Sequence, residues 1–444
     1  MSDPGRTIPL RVASGKPSAE ALAKMDKSWR WRYVMLAPHR VGFLLAMMVL
    51  VCSGAWWALV QFDRATAWLG LSPVMPPSVV HSTVMAFGFI PLFFSGFLFT
   101  AGPKWLGVDP LPVPVLRPPL FAQAAGWLLW LAGAYIHAGV ALAGLALVCV
   151  GMVWMTAQFW GRVRLSQAED QLHARTIGCA CLVGCISLAG LWISLLAGAH
   201  ALARVWVFTG LWGFVVVVYV SVAHRMIPFF TSSAMPMVHS WRPFWVLWLM
   251  WGAALMQVLA AWLDWAGVPA SAAGPAWTLV HGTLQLVVGG VLIWLACVWG
   301  LVQSLKNKLL AMLHIGFLWL GLAFVIGGVS QWLVWGLGVG ALGLGALHAL
   351  TMGCLASLML AMVTRVSCGH SGRALVADRI AWSLFWVLQA ATVLRIAAAV
   401  PGVPGAVLPW LLLAAAALWA GTVGVWGARL GRWYGCLRAD GRPG

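Results

Sequence analysis

About twelve stretches of this chain are apolar, nearly free of charge, and each long enough to cross the roughly 30 Å of hydrocarbon in a bilayer. They fall at residues 41–62, 79–101, 119–138, 140–160, 173–197, 204–223, 243–265, 277–304, 309–335, 346–363, 380–400 and 407–428. Backbone in lipid must satisfy its own polar groups, so stretches of this length are helices. The fold class is therefore all-α, a polytopic integral membrane protein of about 12 transmembrane helices. With 62% hydrophobic and 8% charged residues, the composition excludes a soluble domain of this size. The gaps between the third and fourth stretches, and between the fifth and sixth, leave room only for tight turns between antiparallel neighbours.

Charge sets the expected orientation, because loops rich in Lys and Arg stay on the cytoplasmic side. With both termini inside, all but three of the 27 Lys and Arg fall in cytoplasmic segments. The exceptions are Arg64, Arg204 and Arg395. The expected organisation is a basic cytoplasmic tail at 1–40, a twelve-helix membrane domain at 41–430 and a cytoplasmic tail at 431–444. The first forty residues hold no apolar core ahead of a cleavage site, so the first helix is expected to be an uncleaved anchor. On this reading the net charge of +17 is an orientation signal. The partner it implies is the lipid bilayer, and no nucleic acid is expected. The nine cysteines lie mostly within spans, where they suit small apolar filler better than a disulfide framework.

The ten carboxylates all fall in loops, tails or the last turns of spans. An ion-coupled transporter usually needs a carboxylate near the midplane, so that class is disfavoured, whereas a facilitator needing no charge stays open. Histidine is placed differently. His81, His281, His314 and His348 each lie near the beginning of a span. The alternation of spans puts His81, His281 and His348 at similar depth near the external face, with His137 and His200 close by, and His314 on the cytoplasmic side. Two of them share a pattern, His81-Ser-Thr-Val-Met85 and His348-Ala-Leu-Thr-Met352. Residues four apart share a helix face, so each helix presents imidazole and thioether together. Facing imidazoles at equal depth suit the two axial positions of a haem, with Ala86, Gly88, Gly353 and Ala356 leaving room for the macrocycle. Copper also accepts imidazole with thioether, and Met85 and Met352 are equally able to be plain core filler.

The run 348–373, through Thr364-Arg365 to Gly369-His370-Ser371-Gly372-Arg373, resembles the signature of the NnrS family of bacterial membrane proteins: H-A-L-T, M-T-R, then G-H-[ST]-G-R. Pro38-His39-Arg40 is similar to that family's motif before the first helix, the segment 81–105 to its second helix, and Arg225-Met-Ile-Pro228-Phe-Phe-Thr231 to its G-R-x-I-P-x-F-T turn. His314 falls where the ninth helix of the family often carries histidine. The resemblance implies twelve helices in a bacterial inner membrane, a haem b with copper as a further metal, and a role in the nitric oxide response alongside denitrification or nitrosative stress. Nitric oxide or another small molecule would be the ligand, and the electron donor is not named by the sequence. The chain departs from the family at the second helix, where H-x-H-E is replaced by His81-Ser82-Thr83-Val84, and at Ala223-His224.

A more distant similarity is to the catalytic subunits of haem–copper oxidases, whose second and tenth helices carry the ligands of a low-spin haem. The closely spaced histidines of their binuclear centre have no counterpart here. The expected axial ligands are thus His81 and His348, with His281 in reserve. The wider set of metal-ligand candidates adds His314, Met85 and Met352. The signature residues Arg225, Pro228, Thr364, Arg365, Gly369, His370, Gly372 and Arg373 would form a cytoplasmic anion or partner site, or anchor to headgroups. The competing function is a metal-free transporter or channel for a small molecule, to which the helix count and the interruptions at Pro91 and Pro228 also point.

Overall fold

The computed structural model describes residues 28–441 except 236, 238–240, 339–341 and 343, so most of the basic tail expected at 1–40 lies outside the described residues. Among the described residues twelve helices are long and apolar enough to span a membrane. They are α1 (Pro38–Thr66), α2 (Pro77–Leu106), α3 (Val113–Ile136), α4 (Ala138–Leu165), α5 (Leu172–Leu196), α6 (His200–Ala234), α7 (Phe244–Trp265), α8 (Gly274–Val298), α9 (Lys308–Leu337), α10 (Gly345–His370), α11 (Arg379–Ala397) and α12 (Leu408–Tyr434). No strand occurs among them. Each expected stretch falls mainly on one helix, but residues 299–304 of the eighth lie past the end of α8, where Gly300 turns left-handed (φ +100°), and residues 398–400 of the eleventh lie past the end of α11. Most helices overrun the apolar stretches, most of all α6, because hydropathy marks only the hydrocarbon slab while helical hydrogen bonding continues into the headgroup zone.

Chain neighbours pack antiparallel around the bundle, and α12 packs extensively on α1, which closes the ring. Four helices stand further inward: the apolar cores of α2, α6, α9 and α10 are 72%, 78%, 67% and 67% buried, against 28% for α12. Of these, α2, α6 and α10 are irregular where they pass through the bundle. In α2 the helix stops at Phe87 and restarts at Ile90. Pro91 causes this break, since it has no N–H for the carbonyl four residues back and its ring collides with that turn. In α6 and α10 the segments Leu211–Val216 and Ala349–Ala356 are π-helical. Wider π turns cost stability and recur at functional sites. Pro228, by contrast, sits buried within a helix that continues to Ala234.

The shortest connection joins α3 to α4, where His137 alone separates the helices and its Nδ1 accepts the Gly139 N–H at 3.0 Å. So tight a hairpin forces backbones together. A Cβ on Gly133 would lie 2.3 Å from the backbone nitrogen of Ala141 and 2.7 Å from its Cα, neither of which can swing aside. Gly133→Val is accordingly expected to destabilise by about 2 kcal/mol or more through overpacking, lowering the melting temperature in detergent. An unchanged melting curve would mean that this hairpin is looser than described.

Candidate functional site

On the face opposite the arginine-rich loops, α1, α2, α6, α10, α11 and α12 enclose a chamber of about 690 Å³, within the range of cofactor and ligand sites. Its walls change character with depth. Residues from helix interiors, such as Phe89, Ile90, Leu355 and Met359, make the deep part apolar, while residues from helix ends, including Gln61, Arg64, His200, Arg204 and Arg395, make a polar rim. The irregular turns of α2, α6 and α10 all border it: Phe89 and Ile90 at the break in α2, Leu211 in the first π segment, and Thr351, Met352, Leu355 and Ala356 in the second. A smaller apolar cavity of about 70 Å³ shares Tyr219 and Met359 with the chamber and extends toward Met226 and Met362.

His81 and His348 both line the chamber and lie close enough to interact electrostatically. The His348 Nδ1 is 2.8 Å from the carbonyl oxygen of Leu344. A carbonyl only accepts, so Nδ1 carries the proton and Nε2 keeps its lone pair. His81 is held differently: its ring stacks on Trp57, with centroids 3.8 Å apart and planes 19° apart. Its Nδ1 is buried without a hydrogen-bond partner, as is the Thr83 hydroxyl beside it. The hydroxyls of Ser82 and Thr351 do not support the imidazoles; they donate to the Val79 and Leu347 carbonyls in their own helices. Met85, Met352, Ala86 and Ala356 line the chamber. Gly88 and Gly353 do not, because Gly88 backs onto Val84 and Gly353 onto the Trp319 ring.

The other histidines are engaged elsewhere. His281 is not among the chamber-lining residues; it is buried, stacks on Trp277 at 5.1 Å, and lies 2.8 Å from the amide nitrogen of Gln285. His314 is buried and its Nε2 is 2.9 Å from the Thr231 hydroxyl. That hydroxyl donates to Ile227, so the imidazole donates to it, and Nδ1 is left as a buried acceptor without a partner. His224 and His370 are paired with other rings. His224 lies 3.2 Å from His173, and His370 lies against His39 with ring centroids 4.3 Å apart and planes tilted by 40°. Among the described residues no cluster of three or more His, Cys, Asp or Glu is placed to hold a metal ion.

The signature segments meet at the basic face, although 330 residues of chain separate them. Pro38-His39-Arg40 is the first turn of α1 and does not precede it. Arg40 is buried, and its Nη1 donates to the carbonyls of Tyr33, Tyr434 and Cys436 at 3.1, 3.3 and 2.8 Å. Thr364 accepts a hydrogen bond from the Trp426 indole, and Arg438 donates to the His370 carbonyl. Gly372 has φ +70°, and a Cβ there would lie 2.5 Å from the Asp440 carboxylate, so glycine is required twice over. The guanidiniums of Arg365, Arg373 and Arg225 lie over the rings of Phe230, Trp433 and Trp105 at 4.0, 4.4 and 5.1 Å. Burial holds Arg373 below the ordinary arginine value, while the Asp440 hydrogen bond holds Arg438 above it. These contacts give the fixed Arg spacing a structural use, stacking that Lys could not reproduce as a planar group. Gly369 is exposed and nothing around it explains the glycine.

Sequence patterns missed Trp57, Gln61 and the arginines of the rim as site residues. The signal was present, since Arg64, Arg204 and Arg395 are the three cations that break the charge asymmetry. Residues 33–438 match the family model for the NnrS protein. Comparison with curated proteins gives no match.

Proposed function

The chain belongs to the NnrS family, membrane proteins related to the nitric oxide response, and from that premise we propose that it is a haem protein of a bacterial inner membrane. One b-type haem would sit in the chamber, held by His81 and His348. The state of the two rings carries this reading. Both rings line one chamber, where Leu344 fixes the tautomer of His348 so that Nε2 is a free base, and Trp57 stacks on the ring of His81.

A haem held there by His81 and His348 would supply redox chemistry and a binding place for a small ligand such as nitric oxide. The protein's part is positional. Leu344 orients His348 and raises its basicity, Trp57 fixes the plane of His81, and the apolar depth of the chamber excludes water. The small apolar cavity beyond Tyr219 and Met359 gives a nonpolar diatomic molecule room next to the site. Met85 and Met352 on the same walls make copper the competing occupant, since thioether with imidazole is a donor set that copper accepts. The cellular setting that goes with this reading is denitrification or nitrosative stress.

The test is the visible absorption of the detergent-purified protein with metal analysis of the same sample. Low-spin b-type bands and about one haem per chain are expected. Copper without haem would transfer the site to the rival metal, and neither would return the chamber to a metal-free path for a small molecule.

A further inference from the structure

Arg64, Arg204 and Arg395 are scattered in sequence across the first, sixth and eleventh spans, yet all three side chains line the rim of one chamber. Cations on the outer side of a membrane protein run against the charge rule, so three converging on one cavity call for a function there. None has a carboxylate within ion-pair distance among the described residues. The nearby Asp63 is already occupied, accepting the backbone N–H groups of Leu69, Gly70 and Leu71 at 2.8, 2.8 and 2.9 Å. The guanidinium groups of Arg64 and Arg204 lie over the rings of Trp57 and Phe208, 5.4 and 5.6 Å from the centroids, a contact through the guanidinium face that leaves the N–H edges available. The chamber is thus cationic at its mouth and apolar in its depth.

We propose that these three arginines form a carboxylate-binding rim that holds the two propionates of the haem and so fixes which way round it enters, an inference that rests on the haem reading above. The chemistry fits. A guanidinium matches a carboxylate bidentately, and a macrocycle with two carboxylates on one edge and an apolar body is complementary to a chamber with this polarity. The residues that read as anomalies in the charge pattern are then the specificity element of the site.

The test is a cycle on the full-length chain, purified haem-free in detergent and titrated with haem or with haem dimethyl ester, which lacks the carboxylates. Two of the three arginines are exposed, so screening limits each contact. The wild-type chain is expected to bind the ester about tenfold or more weakly than haem, a difference of about 1.4 kcal/mol. Arg64→Gln/Arg204→Gln/Arg395→Gln should bind haem as weakly as the wild type binds the ester, and should bind the ester no worse. Arg395→Gln alone, from the half-buried member, should lose part of the preference if the triple variant fails to fold. Equal binding of haem and ester by the wild type overturns the rim while leaving the haem reading intact, whereas binding of neither overturns both. If inorganic phosphate raises the melting temperature of the wild type but not of the triple variant, and haem and ester bind alike, the rim serves a free anion and the proposal fails.

Discussion

Replacing His348 with alanine is expected to abolish the low-spin haem spectrum and to lower haem content by well over the roughly 10–100-fold that loss of an outer-shell partner costs. His81→Ala should do the same, because each ring offers one side of the site and neither has a substitute in the chamber. His200, the other histidine on the walls, belongs to the first residue of α6 at the rim and is exposed. Met85→Leu keeps the volume of the side chain and removes only its sulfur, so the spectrum should survive it nearly unchanged if iron is held by the two imidazoles. A low-spin spectrum persisting in both histidine variants would remove them as ligands. His281→Ala is the internal control: its ring is tied to Gln285 and Trp277 between α8 and α9, so haem content should not follow it.

The second large effect is expected at the opposite face. Arg40→Ala should destabilise the fold by about 3–5 kcal/mol, since it removes a buried charged donor and leaves the carbonyls of Tyr33, Tyr434 and Cys436 without their partner. Arg40 ties the segment before α1 to the end of α12, and Arg30 adds a backbone N–H to the Gly435 carbonyl at 2.8 Å. The loss should appear as a lower melting temperature and as faster protease cleavage at both ends of the chain together. Arg40→Lys, which keeps a charge but shortens the reach and loses the fork, should recover only part of it. Cleavage unchanged at the C-terminal end would show that the clasp is dispensable.

The sequence by itself determined the helix count, the approximate position of each helix, the fold class and the family. Hydropathy over a bilayer's thickness is a one-dimensional quantity, and so is the alternation of charged loops, so both can be read along the chain. His81 and His348 could be placed at equal depth in the same way. Depth could not separate them from His281, nor tell that His370 packs against His39. Those choices depend on which side of each helix faces inward. In water an apolar stripe answers that question, but in lipid both faces are apolar and the periodicity is lost. The Ser82 and Thr351 hydroxyls are taken up by carbonyls of their own helices, and the π turn after His348 changes which residues share its face, a backbone event without a sequence signature here. Which rings meet, which glycines face a wall, and that three cations outlying in the charge pattern share one rim were settled only when helices far apart in sequence packed against each other.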